Sequence, residues 1–117
     1  KSAKLIFNNL TQDHKIKNLG IIISDTFGRP WRVGQTNISI GSYGINPFID
    51  YQNNTDAFGR KLTTTKICIV DELSGGAEIL MEKALQIPIV LVRGIKFQFS
   101  NKGSKEILRD KNLDLFR

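Results

Sequence analysis

Gly20-Ile21-Ile22-Ile23-Ser24-Asp25-Thr26-Phe27-Gly28-Arg29-Pro30-Trp31-Arg32 joins an apolar run to a carboxylate, a hydroxyl and a pair of guanidinium groups. The apolar part, through Ser24, reads as a strand covered on both faces, because nothing polar interrupts it. Residues 25–32 read as a loop at the carboxyl end of that strand, a common place for ligands in folds that combine strands and helices. Asp25 and Thr26 offer hard oxygens of the kind divalent cations such as Mg²⁺ take up together with substrate phosphates. Arg29 and Arg32 present planar forks of donors that match phosphate and carboxylate oxygens. Gly28 lets the backbone turn between them. On the residues alone a second reading stands beside this one: Asp25 opens a turn, Arg29 pairs with it at the surface, and Trp31 fills a core.

Upstream of this run, Ser2 is a good N-cap, and Ala3, Ile6, Phe7 and Leu10 recur at helical spacing as far as Asp13-His14-Lys15. His14, the one histidine, sits among charged residues and reads as solvated surface. Downstream, Thr36-Asn37-Ile38-Ser39-Ile40 alternates as a strand with one buried face does, and Gly41, Gly44, Asn46 and Pro47 punctuate a turn region. Residues 50–62 form a long polar connection, and such connections are often functional. Residues 63–70 read as another strand on their threonines, Ile67, Ile69 and Val70, with Asp71 capping the next helix. That helix places Leu73, Ala77, Leu80, Met81 and Ala84 on one face. Gly75 and Gly76 cost it roughly 1 kcal/mol each relative to alanine, which calls for close packing against a backbone or the approach of a ligand. Ile89-Val90-Leu91-Val92 reads as a further strand, and residues 104–109 as a short helix. The terminal Leu115 and Phe116 are expected to dock on the domain. The order of elements is that of an α/β or α+β domain; we take it as α+β, a mixed sheet with packed helices.

The bulk composition narrows the function without naming it. A chain of 117 residues is one domain by size. Seventeen Lys and Arg against eleven Asp and Glu give a net charge of +6, which favours an anionic partner. Basic residues are scattered rather than gathered in a stripe, and no aromatic RNP motif or zinc pattern accompanies them, so a nucleic-acid-binding module is the weaker reading. The single cysteine, Cys68, lies in the run Ile67-Cys68-Ile69-Val70 and reads as a small buried hydrophobe. No apolar stretch is long enough to span a bilayer. A reducing cytoplasm is the simplest home.

The opening run, continued by Gly34-Gln35-Thr36 and Ile40-Gly41, resembles the gamma-glutamyl ligases of the deazaflavin coenzyme F-420. So do Asp50-Tyr51, Thr55-Asp56, Phe58-Gly59-Arg60, Asp71-Glu72-Leu73, Ala77-Glu78, Ile87-Pro88-Ile89-Val90-Leu91-Val92-Arg93-Gly94 and Asp114-Leu115-Phe116-Arg117. The likeness runs in order through nearly all of the chain. It implies an enzyme that joins L-glutamate to the carboxylate of coenzyme F-420-0, using GTP as co-substrate and a divalent metal, Mg²⁺ or Mn²⁺. Phosphoryl transfer to that carboxylate, then attack by the glutamate amine on the acyl phosphate, is the path it implies. Asp25 and Thr26 match the family's metal-holding positions, and Met81-Glu82-Lys83 aligns with a nucleotide-contacting stretch. Arg29 and Arg32 are our own assignment, as clamps on phosphate or substrate carboxylate or as braces of the loop. Glu82 stands where the family more often has glycine, and Gly75-Gly76 replaces an alanine-rich helix.

Family members are longer, with an amino-terminal half that supplies further nucleotide contacts and another metal-binding aspartate. They are built as homodimers with nucleotide near the interface. Residues 1–117 are therefore expected to be a carboxy-terminal portion with half a site and no ligase activity alone. The competing classes are a non-catalytic interaction domain with the ligase fold and, behind it, the basic nucleic-acid-binding module.

Overall fold

An antiparallel hairpin carries the opening motif, and the rest of the chain is arranged around it. The fold is given by a computed structural model that describes residues 1–14, 16–52 and 54–114. Helix α1 spans Ser2–His14, β1 Ile21–Gly28, β2 Gln35–Tyr43, β3 Phe48–Asp50, β4 Lys66–Cys68 and α2 Ile69–Met81. Short 3₁₀ helices come after these at Gly103–Ile107 and Lys111–Leu113. The class is α+β, as the sequence predicts, but the expected mixed sheet is replaced by two separate antiparallel pairs, β1 with β2 and β3 with β4.

The apolar strand does not stop at Ser24. The ladder continues through Asp25↔Ile38, Thr26↔Asn37 and Gly28↔Gln35, so Asp25 and Thr26 lie on a strand and only residues 29–34 form the loop. Extension is favoured because β2 offers a matching edge for the whole length. The register skips Ile40, a bulge between Ile23 and Ser24, and a bulge of this kind bends and twists the hairpin. The alternation along β2 runs opposite to an apolar core strand: Asn37, Ser39 and Ser42 are buried while Ile40 is exposed. A polar seam explains it. The Asp71 carboxylate accepts from the Ser39 N–H at 2.9 Å, and the Ser104 hydroxyl lies 3.0 Å from that of Ser39 and donates to that of Ser42 at 3.1 Å. These bonds meet the demand that buried polar groups be paired.

Helix α2 takes over the end of the expected strand. Ile69 and Val70 form its first turn and β4 shrinks to Lys66–Cys68, because Val70, fully buried, packs as part of the helix. Cys68, not Asp71, stands at the N-cap and makes no side-chain cap bond; Asp71 is engaged by Ser39 instead. The helix ends at Met81, so Ala84 lies beyond it, and Leu80 is exposed. Gly75 has the packing reason: a Cβ there would meet Thr36 Oγ1 at 3.2 Å. Gly76 has no neighbour within 4 Å and no such reason.

Residues 89–92 form no strand. Their composition favours one, but they make no backbone hydrogen bond with any described strand, and a strand is stabilised through its partners. Further on, the chain returns to the hairpin, where Gly44 N–H donates to Ser100 O at 2.9 Å and Asn46 N–H to Gln98 O at 2.7 Å. Gly44 is required there, since at its φ of 81° a Cβ would strike Leu19 O at 2.5 Å. Phe7, Tyr43 and Phe99 meet edge to face, with centroids 5.0–6.3 Å apart, tying α1, β2 and this return segment together. The expected helix at residues 104–109 is the 3₁₀ helix Gly103–Ile107. Docking through Leu115 and Phe116 falls outside the described residues.

The core is small. Ala3, Ile45 and Val70 are the buried hydrophobic residues among those described. The accessible surface is 9668 Å², against about 6,400 Å² for a folded monomer of 13.2 kDa. The radius of gyration, 16.0 Å, likewise exceeds the roughly 13 Å expected at this length.

Candidate functional site

The hairpin register and the end of α2 bring oxygen donors and one cation together. Thr26 Oγ1 donates to Asn37 Oδ1 at 3.2 Å across the ladder and accepts from Lys83 Nζ at 2.8 Å. Lys83 Nζ also pairs with Glu78 Oε1 at 2.7 Å. Beside them Asp25, exposed on β1, accepts from the Thr26 N–H at 2.7 Å through Oδ1. Asn37 is the buried member of the group, so the cluster has a fixed floor and a solvent-facing rim.

Local sequence explains the placement. Thr26 is β-branched and suits a strand, and antiparallel pairing sets Asn37 directly opposite it. Lys83 comes soon after α2, where the ends of backbone carbonyl dipoles favour a cation. Glu82 at the C-cap has φ 47° and its N–H donates to Glu78 O at 3.0 Å, which closes the helix and redirects the chain.

Of the predicted site residues, Thr26 and Lys83 meet through their side chains; Asp25 accepts from the Thr26 N–H, and successive residues of a strand send their side chains to opposite faces. Met81 is half-buried at the end of α2 and lines, with Ile22 and Ser24, a cavity of about 580 Å³. Glu82 touches the cluster through its N–H on Glu78 O, while among the described residues no hydrogen bond or ion pair joins Arg29 or Arg32 to it. Arg29 reaches the carbonyl of Val33 at 3.5 Å within the hairpin loop, and its shielded Nε has no partner among the described residues; it braces the loop and does not pair with Asp25. Arg32 is exposed on the same loop. Trp31 fills no core: it is 91% exposed, with φ 65°, at the hairpin tip. Asn37 and Glu78 are the members that reading the sequence misses. The signal for Asn37 is the hairpin itself, since continuing the first strand through Thr26 sets the two residues face to face.

The donor set is the hard one. A carboxylate, a hydroxyl and an amide oxygen suit Mg²⁺ or Mn²⁺ rather than a soft metal. No group of three or more His, Cys, Asp or Glu side chains gathers among the described residues, so Asp25 and Thr26 leave most of a cation's coordination to phosphate, water or other protein groups. Cys68 is no nucleophile here. Burial and a hydrogen bond with Asp71 push its thiol up to about 11, which holds it in the unreactive neutral form.

The model of the F420-0:gamma-glutamyl ligase family matches residues 1–94 of the chain. The coenzyme F420:L-glutamate ligase of Methanocaldococcus jannaschii is 42% identical over 102 residues, covering 86% of this chain and 41% of that protein. Its namesake from Methanothermobacter thermautotrophicus is 38% identical over 119 residues, covering 99% of this chain and 47% of that protein. That of Methanosarcina mazei is 42% identical over 103 residues, covering 86% and 41%. The chain thus spans less than half the length of these curated relatives.

Proposed function

The chain belongs to the F420-0:gamma-glutamyl ligase family, and from that premise we propose that it is the carboxy-terminal portion of a GTP- and metal-dependent ligase that adds L-glutamate to coenzyme F420-0. The observation that carries this reading is Thr26. Its hydroxyl accepts from Lys83, 57 residues away, and the Thr26 N–H donates to the Asp25 carboxylate, which supports reading the oxygen-donor motif and the stretch aligned with nucleotide contacts as parts of one site.

In this reading Asp25 and Thr26 hold the divalent cation, which when bound neutralises phosphate charge. Lys83, which pairs with Glu78 at 2.7 Å here, meets the nucleotide phosphates beside it, and Met81 and Glu82 flank the nucleotide. Arg29 and Arg32, on the hairpin loop, face the anionic substrate. The γ-phosphoryl of GTP passes to the free carboxylate of F420-0, giving an acyl phosphate and GDP. The glutamate amine then attacks the acyl carbon, the amide forms, phosphate leaves and the amine sheds a proton. Positioning and charge neutralisation carry such a transfer. The amino-terminal half of the ligase supplies the remaining metal and nucleotide contacts, and the whole enzyme works as a cytoplasmic homodimer. No helix among the described residues is long and apolar enough to cross a membrane.

The test is a chimera in which this chain replaces the aligned segment of the M. jannaschii relative. GTP- and Mn²⁺-dependent glutamylation is expected, with loss of about 100-fold or more on Asp25→Ala and of Mn²⁺ binding by calorimetry. A folded chimera that binds neither Mn²⁺ nor GDP defeats the reading. The 117-residue chain alone is expected to give no turnover, and turnover from it would defeat the half-site part.

A further inference from the structure

Two apolar stretches of backbone border one groove, and neither has a strand on its open side. β1 pairs with β2 along one edge only, and residues 87–97 make no backbone–backbone hydrogen bond with any described residue. The groove is the cavity of about 580 Å³; Ile22 and Ser24 of β1, Leu73 and Met81 of α2, and Val90 and Val92 border it. Ile89 is 79% exposed and Leu91 67%. Unpaired N–H and C=O groups along an apolar edge are a template for another strand.

The area agrees. The accessible surface exceeds that of a compact monomer of this mass by roughly 3,300 Å², more than the about 1,000–2,500 Å² that one side of an obligate interface contributes. We infer that an extended apolar segment, drawn from the part of the ligase polypeptide that this chain does not span, inserts into this groove as a β-strand between β1 and residues 89–92. The relatives have the length to supply it, since the matched region is 41–47% of each. A second copy is the poorer occupant. Edge-to-edge pairing of two β1 strands, or of two 89–92 segments, satisfies one border and leaves the groove unfilled, and it sets one +6 surface against another. The inference rests on family membership and not on the ligase chemistry.

Hydrogen exchange decides it. In the 117-residue chain the amides of residues 21–24 that face away from β2, and those of residues 89–92, are expected to exchange fast at every protein concentration. In the full-length M. jannaschii relative the aligned amides are expected to exchange about 1,000-fold more slowly, unchanged over a dilution series. Fast exchange at those positions in the full-length protein overturns the insertion. Protection that appears in the chain as its concentration rises, or that fades in the relative on dilution, gives the groove to a second copy and overturns the occupant. Activity enters neither measurement, so a failed ligase assay and a failed insertion are told apart.

Discussion

Thr26 links a buried amide to an exposed ammonium, and the two bonds differ in worth. Asn37 is 6% exposed, so removing the hydroxyl that donates to its Oδ1 leaves a buried acceptor unpaired, which costs about 1–3 kcal/mol. Lys83 is 65% exposed on its side chain, and ion pairs so wetted contribute about 0–1 kcal/mol. Thr26→Val is therefore expected to lower stability by about 1–2 kcal/mol, and Lys83→Met by no more than about 0.5 kcal/mol. Urea midpoints of the two variants check this, and equal losses would contradict it. The oxygen chemistry of Asp25 and Thr26 is legible in the sequence because it depends on residue type alone. Asn37 and Glu78 are not, because what selects them is the register of the hairpin and the point where α2 ends.

Cys68 supplies the pH-dependent case at the same scale. Its thiol is raised from 9.0 to about 11, so at pH 8 its thiolate fraction, and with it alkylation by iodoacetamide, is expected to be about 100-fold below that of an unperturbed thiol. The folded state holds this proton longer than the unfolded one, which sets the sign of the linkage. The contribution to stability is full below pH 9.0 and is lost as pH rises through about 11. Alkylation at pH 8 as fast as in the urea-unfolded chain would show that neither burial nor Asp71 protects the thiol.

At the scale of elements, α2 carries a sharper contrast, since its adjacent glycines differ in surroundings. Both lower helix propensity. Gly76→Ala adds a methyl into open space and is expected to stabilise by about 0.5–1 kcal/mol. Gly75→Ala puts its methyl 3.2 Å from Thr36 Oγ1, so the propensity gain is cancelled by displacement of β2 and no stabilisation is expected. Thermal melts of both variants distinguish the positions; a rise for Gly75→Ala equal to that for Gly76→Ala would show that α2 and β2 do not press together there. Helix α1 is legible in the sequence because periodicity is a local signal, although Ser2 is its first helical residue and not its N-cap, the Lys1 carbonyl accepting from Leu5 N–H. The boundary between β4 and α2 is not, because Ile69 and Val70 suit either element and the burial of Val70 settles it. Residues 89–92 mislead for a related reason: apolar β-branched composition states what a strand would be made of, while the strand itself requires a neighbour.

For the whole molecule, the excess surface has a thermodynamic consequence. An unfolded chain of 13.2 kDa exposes about 19,000 Å², so with 9668 Å² still accessible after folding the chain buries about half of what it could, where a compact domain of this size buries roughly two thirds. The urea m-value scales with the area exposed on unfolding. It is therefore expected to be about a quarter below that of compact domains of 117 residues, and stability should fall with it, because less apolar area opposes the chain entropy. Equilibrium urea unfolding of the isolated chain, monitored by circular dichroism, gives the number directly. A normal m-value would mean that the segment from residue 87 onward closes over the groove in solution and that the chain completes its own core. A low one, restored to a size-appropriate value in the chimera with the M. jannaschii relative, would mean that the remaining polypeptide provides the missing area.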